Sequence, residues 1–198
     1  MKIERYKAPK SSFLSVDKDI STIEDMFLSN DRLKRLLFRT NKDPMSADNL
    51  TEEETVRLLT EFYIRTAPKI KIDEKVLNYI IIQFDNFVPT SNPEFRDNTI
   101  SIDIVCHYDQ WHIANNQLRP YRIAGEIDTM LNDARLSGIG TLEFIAGRII
   151  RINPEYGGIN LLYAATHGED DKKGFENPAD EEKFLEEFAK TLGLETNG

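Results

Sequence analysis

The chain has one cysteine, Cys106, so no internal disulfide can form and stability has to come from packing. No run of about 18 apolar residues is present to span a bilayer. The opening stretch, MKIERYKAPK, also lacks the apolar centre of a secretory signal. Both absences predict a chain that stays in the cytosol where it is made, with no membrane partner. Basic residues are in deficit, 25 Lys and Arg against 34 Asp and Glu, which gives a net charge of −9. That balance opposes a general grip on nucleic acid, because phosphate binding depends on clustered cations. An acidic protein is better suited to letting DNA pass than to holding it. The phosphate-cradling and hydrolase signatures GxGxxG, GxxxxGK[ST], GxSxG and HExxH are all missing. There is no internal repeat and no low-complexity tract.

The rest of the composition is that of a globular protein. Hydrophobic residues make up 40% and charged residues 30% of 198 positions, enough for one good core with appendages. The centre of that core is residues 99–166. TISIDIVCH places Ile100, Ile102, Ile104 and Cys106 on one face and Thr99, Ser101, Asp103 and His107 on the other, with Val105 off pattern. This is the pattern of a half-buried antiparallel strand. QLRPYRIAGEIDTMLNDARL follows with Leu118, Tyr121, Ala124, Ile127, Leu131 and Ala134 at helical spacing, and Pro120 suits a first helical turn. Gly125, inside that helix, predicts a close approach to another backbone. Then TLEFIAGRIIRI puts Leu142, Phe144 and Ala146 on one face, with Gly147 as a bulge. NPEYGG reads as a turn, and INLLYAAT aligns Ile159, Leu161, Tyr163 and Ala165 in a last strand.

Upstream, Ser21 and Glu24 form a capping-box pattern that opens a helix to about Phe38–Thr40, burying Ile23, Met26, Phe27, Leu33, Leu36 and Leu37. Thr51 with Glu54 opens a second, reaching about Ile64 and burying Val56, Leu59 and one of Phe62 and Tyr63. Ile70 and Ile72, a polar turn at Asp73 and Glu74, and the β-branched run 76–84 predict a hairpin or pair of strands. Ile80-Ile81-Ile82 in particular suggests a strand covered on both faces. VPTSNPEFRDN is a long loop. Downstream, GEDDKKGFENPADEE is too charged to enter a core, and Asn177-Pro178 caps a terminal helix with Phe184, Leu185, Phe188 and Leu192 in one stripe. A lone helix of that length is marginal in water, so it should dock on its own domain or on a neighbour.

The fold class is therefore α+β, mainly antiparallel sheet packed by helices, with extra N-terminal helices and a C-terminal amphipathic helix. An extended arm occupies residues 1–19 and a single domain residues 20–168, helical over 20–66 and a sheet-helix core over 69–168. A charged linker covers 169–176 and the terminal helix 177–198.

Candidates for chemistry are few. His107, Asp109 and His112 fall within six residues and are the nearest thing to a metal site, with Glu126 or Asp128 as a further ligand. No established ligand spacing requires them. A polar loop at a strand end explains the same residues without metal. Cys106 beside His107 suggests a thiol nucleophile, but neighbours on a strand point to opposite faces. A buried, inert thiol is the expectation. No catalytic, cofactor-binding or metal residue is assigned.

IDIVCHYDQW, QLRPYRIAGEIDTMLN, SGIGTLEF and LLYAAT, in that order, resemble the tail-terminator or tail-completion proteins of the neck of tailed bacteriophages. FRDN followed by TISIDIVCH and joined to LRPYRIAGEIDTMLN carries most of the likeness, which covers residues 76–168. The resemblance implies a structural virion protein without enzymatic activity or cofactor. It would form a homo-oligomeric ring, expected as a hexamer, at the head-proximal end of the tail. Its partners would be the tail tube and the connector or other neck proteins, with DNA passing through unbound. It would be assembled in the host cytoplasm and found in the virion. The long helical N-terminal region and the terminal helix depart from the pattern and leave another neck or head-completion role open. The competing readings are a small metal-dependent enzyme using His107, Asp109 and His112, and a cytosolic adaptor whose terminal helix binds a partner groove.

Overall fold

The computed structural model describes residues 16–66, 77–89, 96–136 and 140–167. The arm over 1–15, Ile70, Ile72 and the turn after them, Gly138, the charged linker and the terminal helix lie outside the described residues. Spatial proximity divides the chain into Met1–Gly168 and Glu169–Gly198, and all described residues belong to the first unit.

Three helices come first. Helix α1 (Val16–Ser29) starts five residues before the expected cap, so Ser21 lies inside it and residues 16–19 are helical rather than part of an arm. Asp17 and Asp19 in its first turn suit the positive end of the helix dipole. The single helix expected to reach Phe38 is in fact two, because Asn30 adopts an extended conformation between α1 and α2 (Asp31–Phe38). Its Oδ1 accepts the backbone N–H groups of Arg32 and Leu33 at 2.9 and 3.0 Å. An asparagine that can bond its own backbone ends one helix and caps the next. Ile23, Phe27, Leu33, Leu36 and Leu37 are all buried, as their spacing predicts.

Helix α3 (Glu52–Thr60) has the Thr51/Glu54 capping box read from the sequence, with both reciprocal bonds formed. It differs in the face it buries. Leu58 points inward, whereas Val56 and Leu59 face water. The helix also stops at Thr60 rather than near Ile64, because Phe62 takes a left-handed φ of 63°. That turn feeds Tyr63 into the core and Ile64 into a strand.

Strand β1 (Ile64–Arg65) pairs parallel with β2 (Asn78–Pro89), and β2 pairs antiparallel with β3 (Arg96–His107). Two short ribbons follow in the chain, β4 (His112–Ile113) with β5 (Gln117–Leu118) and β6 (Arg135–Leu136) with β7 (Gly140–Thr141). Strands β8 (Glu143–Arg151) and β9 (Tyr156–His167) complete the main sheet by antiparallel pairing, in the order β1-β2-β3-β9-β8. The fold is thus α+β, mainly antiparallel sheet packed by helices. The register aligns Ile80 with Ile104 and Ile159, Ile82 with Ile102 and Leu161, and Phe84 with Ile100 and Tyr163. That face carries helix α4 (Arg119–Leu131), through Ile123, Ile127 and Leu131. Tyr163 Oη donates to Asp128 Oδ1 of α4 at 3.0 Å and ties the two layers together.

Several expectations are corrected. Strand β3 is not half-buried, because Ser101 and Val105 on its other face are buried too. Ile80, Ile81 and Ile82 are covered on both faces as read. In α4, Tyr121 is exposed and Ala134 lies past the helix end, while Ile123 takes the inward position. Gly125 faces open space rather than a neighbouring backbone. The bulge in β8 falls between Phe144 and Ala146, not at Gly147, so those two side chains leave by opposite faces. Gly157 and Gly158 are strand, not turn. Asn153 makes the reversal by accepting from the backbone N–H groups of Glu155 and Tyr156.

Candidate assembly interface

The two flanks of the sheet are built differently, and each leaves apolar side chains in water. Strand β8 ends the sheet on one side, and among the described residues it has a strand partner, β9, on one side only. Phe144, Ile145 and Ile149 along it, and Ile152 just after it, are exposed by 39–58%. A sheet edge normally carries charge, proline or cover, because its unpaired backbone groups invite another chain. Here exposed isoleucines stand at the edge among the charges of Glu143, Arg148 and Arg151. Phe144 leans on Tyr163 edge to face, ring centres 5.7 Å apart, which holds that end of β8 to the core.

At the opposite flank lies α3, which runs into β1. Val56, Leu59 and Phe62 are exposed there, Phe62 by 64%. Their position follows from the local chain: the capping box sets the start of α3, Leu58 anchors its inner face, and the left-handed Phe62 swings the chain into β1. Arg39 Nη1 and Nη2 donate to the two Glu54 carboxylate oxygens at 2.7 and 2.9 Å and fasten α3 to the end of α2. That fork holds the Glu54 carboxyl below its ordinary range, with the Thr51 backbone adding to the effect. The Arg57 guanidinium lies 5.1 Å from the Phe38 ring centre.

Among the described residues two arginines are buried, Arg65 and Arg119. Arg119, at the start of α4, is 1% exposed. Its Nε donates to Gln110 O at 2.9 Å, Nη1 to Leu36 O and Arg39 O at 2.6 and 2.8 Å, and Nη2 to Asn41 O at 3.1 Å. These carbonyls come from the C-terminal end of α2 and the loops after it, where a positive charge meets the negative end of a helix. Burial pushes the guanidinium below its usual range. It remains the pin that locks α2, the 108–113 loop and α4 together. Sequence reasoning does not single out Arg119. The only hint is a charged residue directly before the Pro120 that starts a helix.

Of the residues considered for chemistry, His107 and Asp109 come together, His107 Nδ1 lying 3.5 Å from Asp109 Oδ2, but no third ligand joins them among the described residues. His107 Nδ1 accepts the Asp109 backbone N–H at 3.2 Å, opening a 3-10 turn over Tyr108–Gln110. Its ring meets Tyr156 edge-on at 5.0 Å. His112 is exposed. Among the described residues, no group of three or more His, Cys, Asp or Glu is placed to hold a metal ion. Cys106 is buried, and that burial pushes its thiol up to about 12. Its backbone carbonyl accepts from Trp111 Nε1. On the other side of the sheet, Asn160 donates to Ser101 Oγ and Asp103 Oδ1, both at 2.8 Å, and accepts from Arg148 Nε at 3.0 Å. Desolvation raises the Asp103 carboxyl against that hydrogen bond. Every polar group in this ladder faces another within the sheet, which is a cross-strand support. No described helix is long and apolar enough to cross a membrane.

Comparison with known proteins adds a family and a distant likeness. No curated protein matches the chain. A chain of a solved structure, "Virion of native gene transfer agent (GTA) particle", is similar at 14% identity over 62% of this chain and 87% of its own, with a TM-score of 0.39. A likeness so distant carries no weight for function. The YomW family is different in kind, because its profile matches residues 30–165, from the cap of α2 to Ala165 near the end of β9. The chain, from its capped helices through the four long antiparallel strands, belongs to the YomW family.

Proposed function

We propose that the protein is a structural component of a tailed bacteriophage virion. It assembles as a homo-oligomeric ring, a hexamer, in the neck at the head-proximal end of the tail, as a tail terminator. There it joins the tail tube to the connector and lets DNA pass. The observation that carries the reading is the open β8 edge, with Phe144, Ile145 and Ile149 exposed along a strand that has one strand neighbour among the described residues. Such an edge is stable in water when another chain covers it. Membership in a phage-associated family supports a virion role. The net charge of −9 suits passage of DNA rather than binding to it. The reading includes no catalytic step and no cofactor, with assembly in the host cytoplasm.

Mass photometry and negative-stain microscopy of the purified protein, alone and mixed with phage tails that lack it, provide the test. Rings, or caps on tail ends, are expected. A protein that stays monomeric and never joins tails would sink the proposal. Metal analysis of the same sample separates it from a metal-dependent enzyme, for which stoichiometric metal lost on His107→Ala and His112→Ala would be found.

A further inference from the structure

We infer that the two exposed apolar flanks are the two halves of one heterologous contact, the β8 edge of each copy seating on the α3 flank of the next. The inference rests on the ring reading above and names its surfaces. Position is the first support. Strand β8 and strand β1, which α3 feeds, are the opposite ends of a five-stranded sheet. Four inter-strand steps put them about 19 Å apart. One copy therefore cannot bring its own two patches together, whereas a second copy can.

Charge is the second support and identifies the occupant. On β8, the alternation that puts Phe144 and Ile149 on the helix-bearing face also puts Arg151 there, exposed. Arg148, on the opposite face, is exposed too. On α3, Glu52, Val56 and Leu59 fall at i, i+4 and i+7 and so share a stripe, with Glu53 beside it. Glu52 and Glu53 are exposed. The β8 surface thus sets two arginines against one carboxylate, Glu143, and the α3 surface sets Glu52 and Glu53 against one cation, Arg57, which Glu61 already holds at 2.8 Å. The competing arrangement is an antiparallel pairing of β8 with β8, which could set Arg151 against Glu143 of the other copy but would leave the acidic α3 flank uncovered. A basic-apolar surface docking on an acidic-apolar one is a head-to-tail arrangement, which repeats around an axis and closes into a ring.

Cysteine cross-linking in the full-length protein tests this, and the fully buried Cys106 keeps the background low. Ile149→Cys and Leu59→Cys replace exposed side chains, so neither should disturb folding. With a short bismaleimide, a mixture of the two variants should give a cross-linked dimer that neither gives alone. Cross-linking of Ile149→Cys with itself would show β8 pairing with β8 and overturn the inference while leaving oligomerisation intact. Oligomers that form without any mixed cross-link would overturn it in the same way. A protein that forms no oligomer at any concentration would remove the ring reading and this inference together. Charge exchange is the second readout. Arg151→Glu and Glu52→Arg should each weaken association about fivefold, as expected of an exposed ion pair, and the two variants mixed should associate more tightly than either alone. No recovery on mixing would count against the pairing.

Discussion

Tyr79 is fully buried on β2, its ring 3.9 Å below the Arg65 guanidinium, and among the described residues its hydroxyl has no hydrogen-bond partner. A buried hydroxyl that bonds to nothing costs about 1 kcal/mol or more. Tyr79→Phe should therefore be neutral or stabilising at pH 7, as read from urea unfolding. The same burial pushes the phenol up to about 12 from 10. The folded chain then keeps a proton that the unfolded chain releases, so stability falls as pH rises from 10 towards 12. The Phe variant lacks this part of the loss, and its advantage should widen between pH 7 and pH 11. An advantage that shrinks instead would show that the phenol ionises as easily in the folded state. Two glycines make a contrasting pair. A Cβ on Gly158 would run into the Ile104 carbonyl oxygen of β3, whereas one on Gly125 meets nothing. Gly158→Ala should leave little folded protein. Gly125→Ala, in an exposed helix interior, should raise stability by about 0.5–1 kcal/mol in the same urea titration. Both glycines look alike in the sequence, since the space around a missing Cβ is set by chain segments far away.

Among elements, start signals are legible where a side chain acts on its own helix. The Thr51/Glu54 box is local chemistry and forms as written. The Ser21/Glu24 pattern is the same chemistry and does not form, because α1 extends back to Val16. The break at Asn30 escapes the sequence pattern for a related reason: an asparagine between two apolar stripes can face out of one helix or cap a second. Alternation along β3 and β9 is legible because period two has a single solution once one face is buried. For α3 the apolar residues surround the helix, and only docking of Leu58 against the core decides that Val56 and Leu59 face water. Arg119 is the element-scale pin, and its removal should be felt throughout α2 and α4. Arg119→Met keeps the bulk but leaves the Leu36, Arg39 and Asn41 carbonyls unanswered. It should lower stability by about 3 kcal/mol, measured as a reduced denaturant midpoint with an unchanged slope. A loss below about 1 kcal/mol would mean that water enters and replaces the guanidinium.

At the scale of the whole molecule, the boundary at 168/169 yields a prediction. We expect residues 1–168 to unfold in one cooperative thermal transition within a few degrees of the full chain. A large drop or a broadened transition would mean that the terminal segment is part of the core. If the ring forms as proposed, adding salt from 0.05 to 0.5 M should weaken it without dissolving it, because screening removes the Arg–Glu attraction and leaves apolar contact. What the sequence determined by itself is whatever depends on near neighbours: an α+β chain, the strand faces of β3 and β9, the Thr51 cap, Pro120 at the start of α4, and a thiol with no reactive setting. Tertiary structure decided where the two ends of the sheet lie, which apolar residues of α3 and β8 remain outside, and that one buried arginine joins three separate segments. Those outcomes depend on contacts between residues tens of positions apart, and no local period or spacing encodes them.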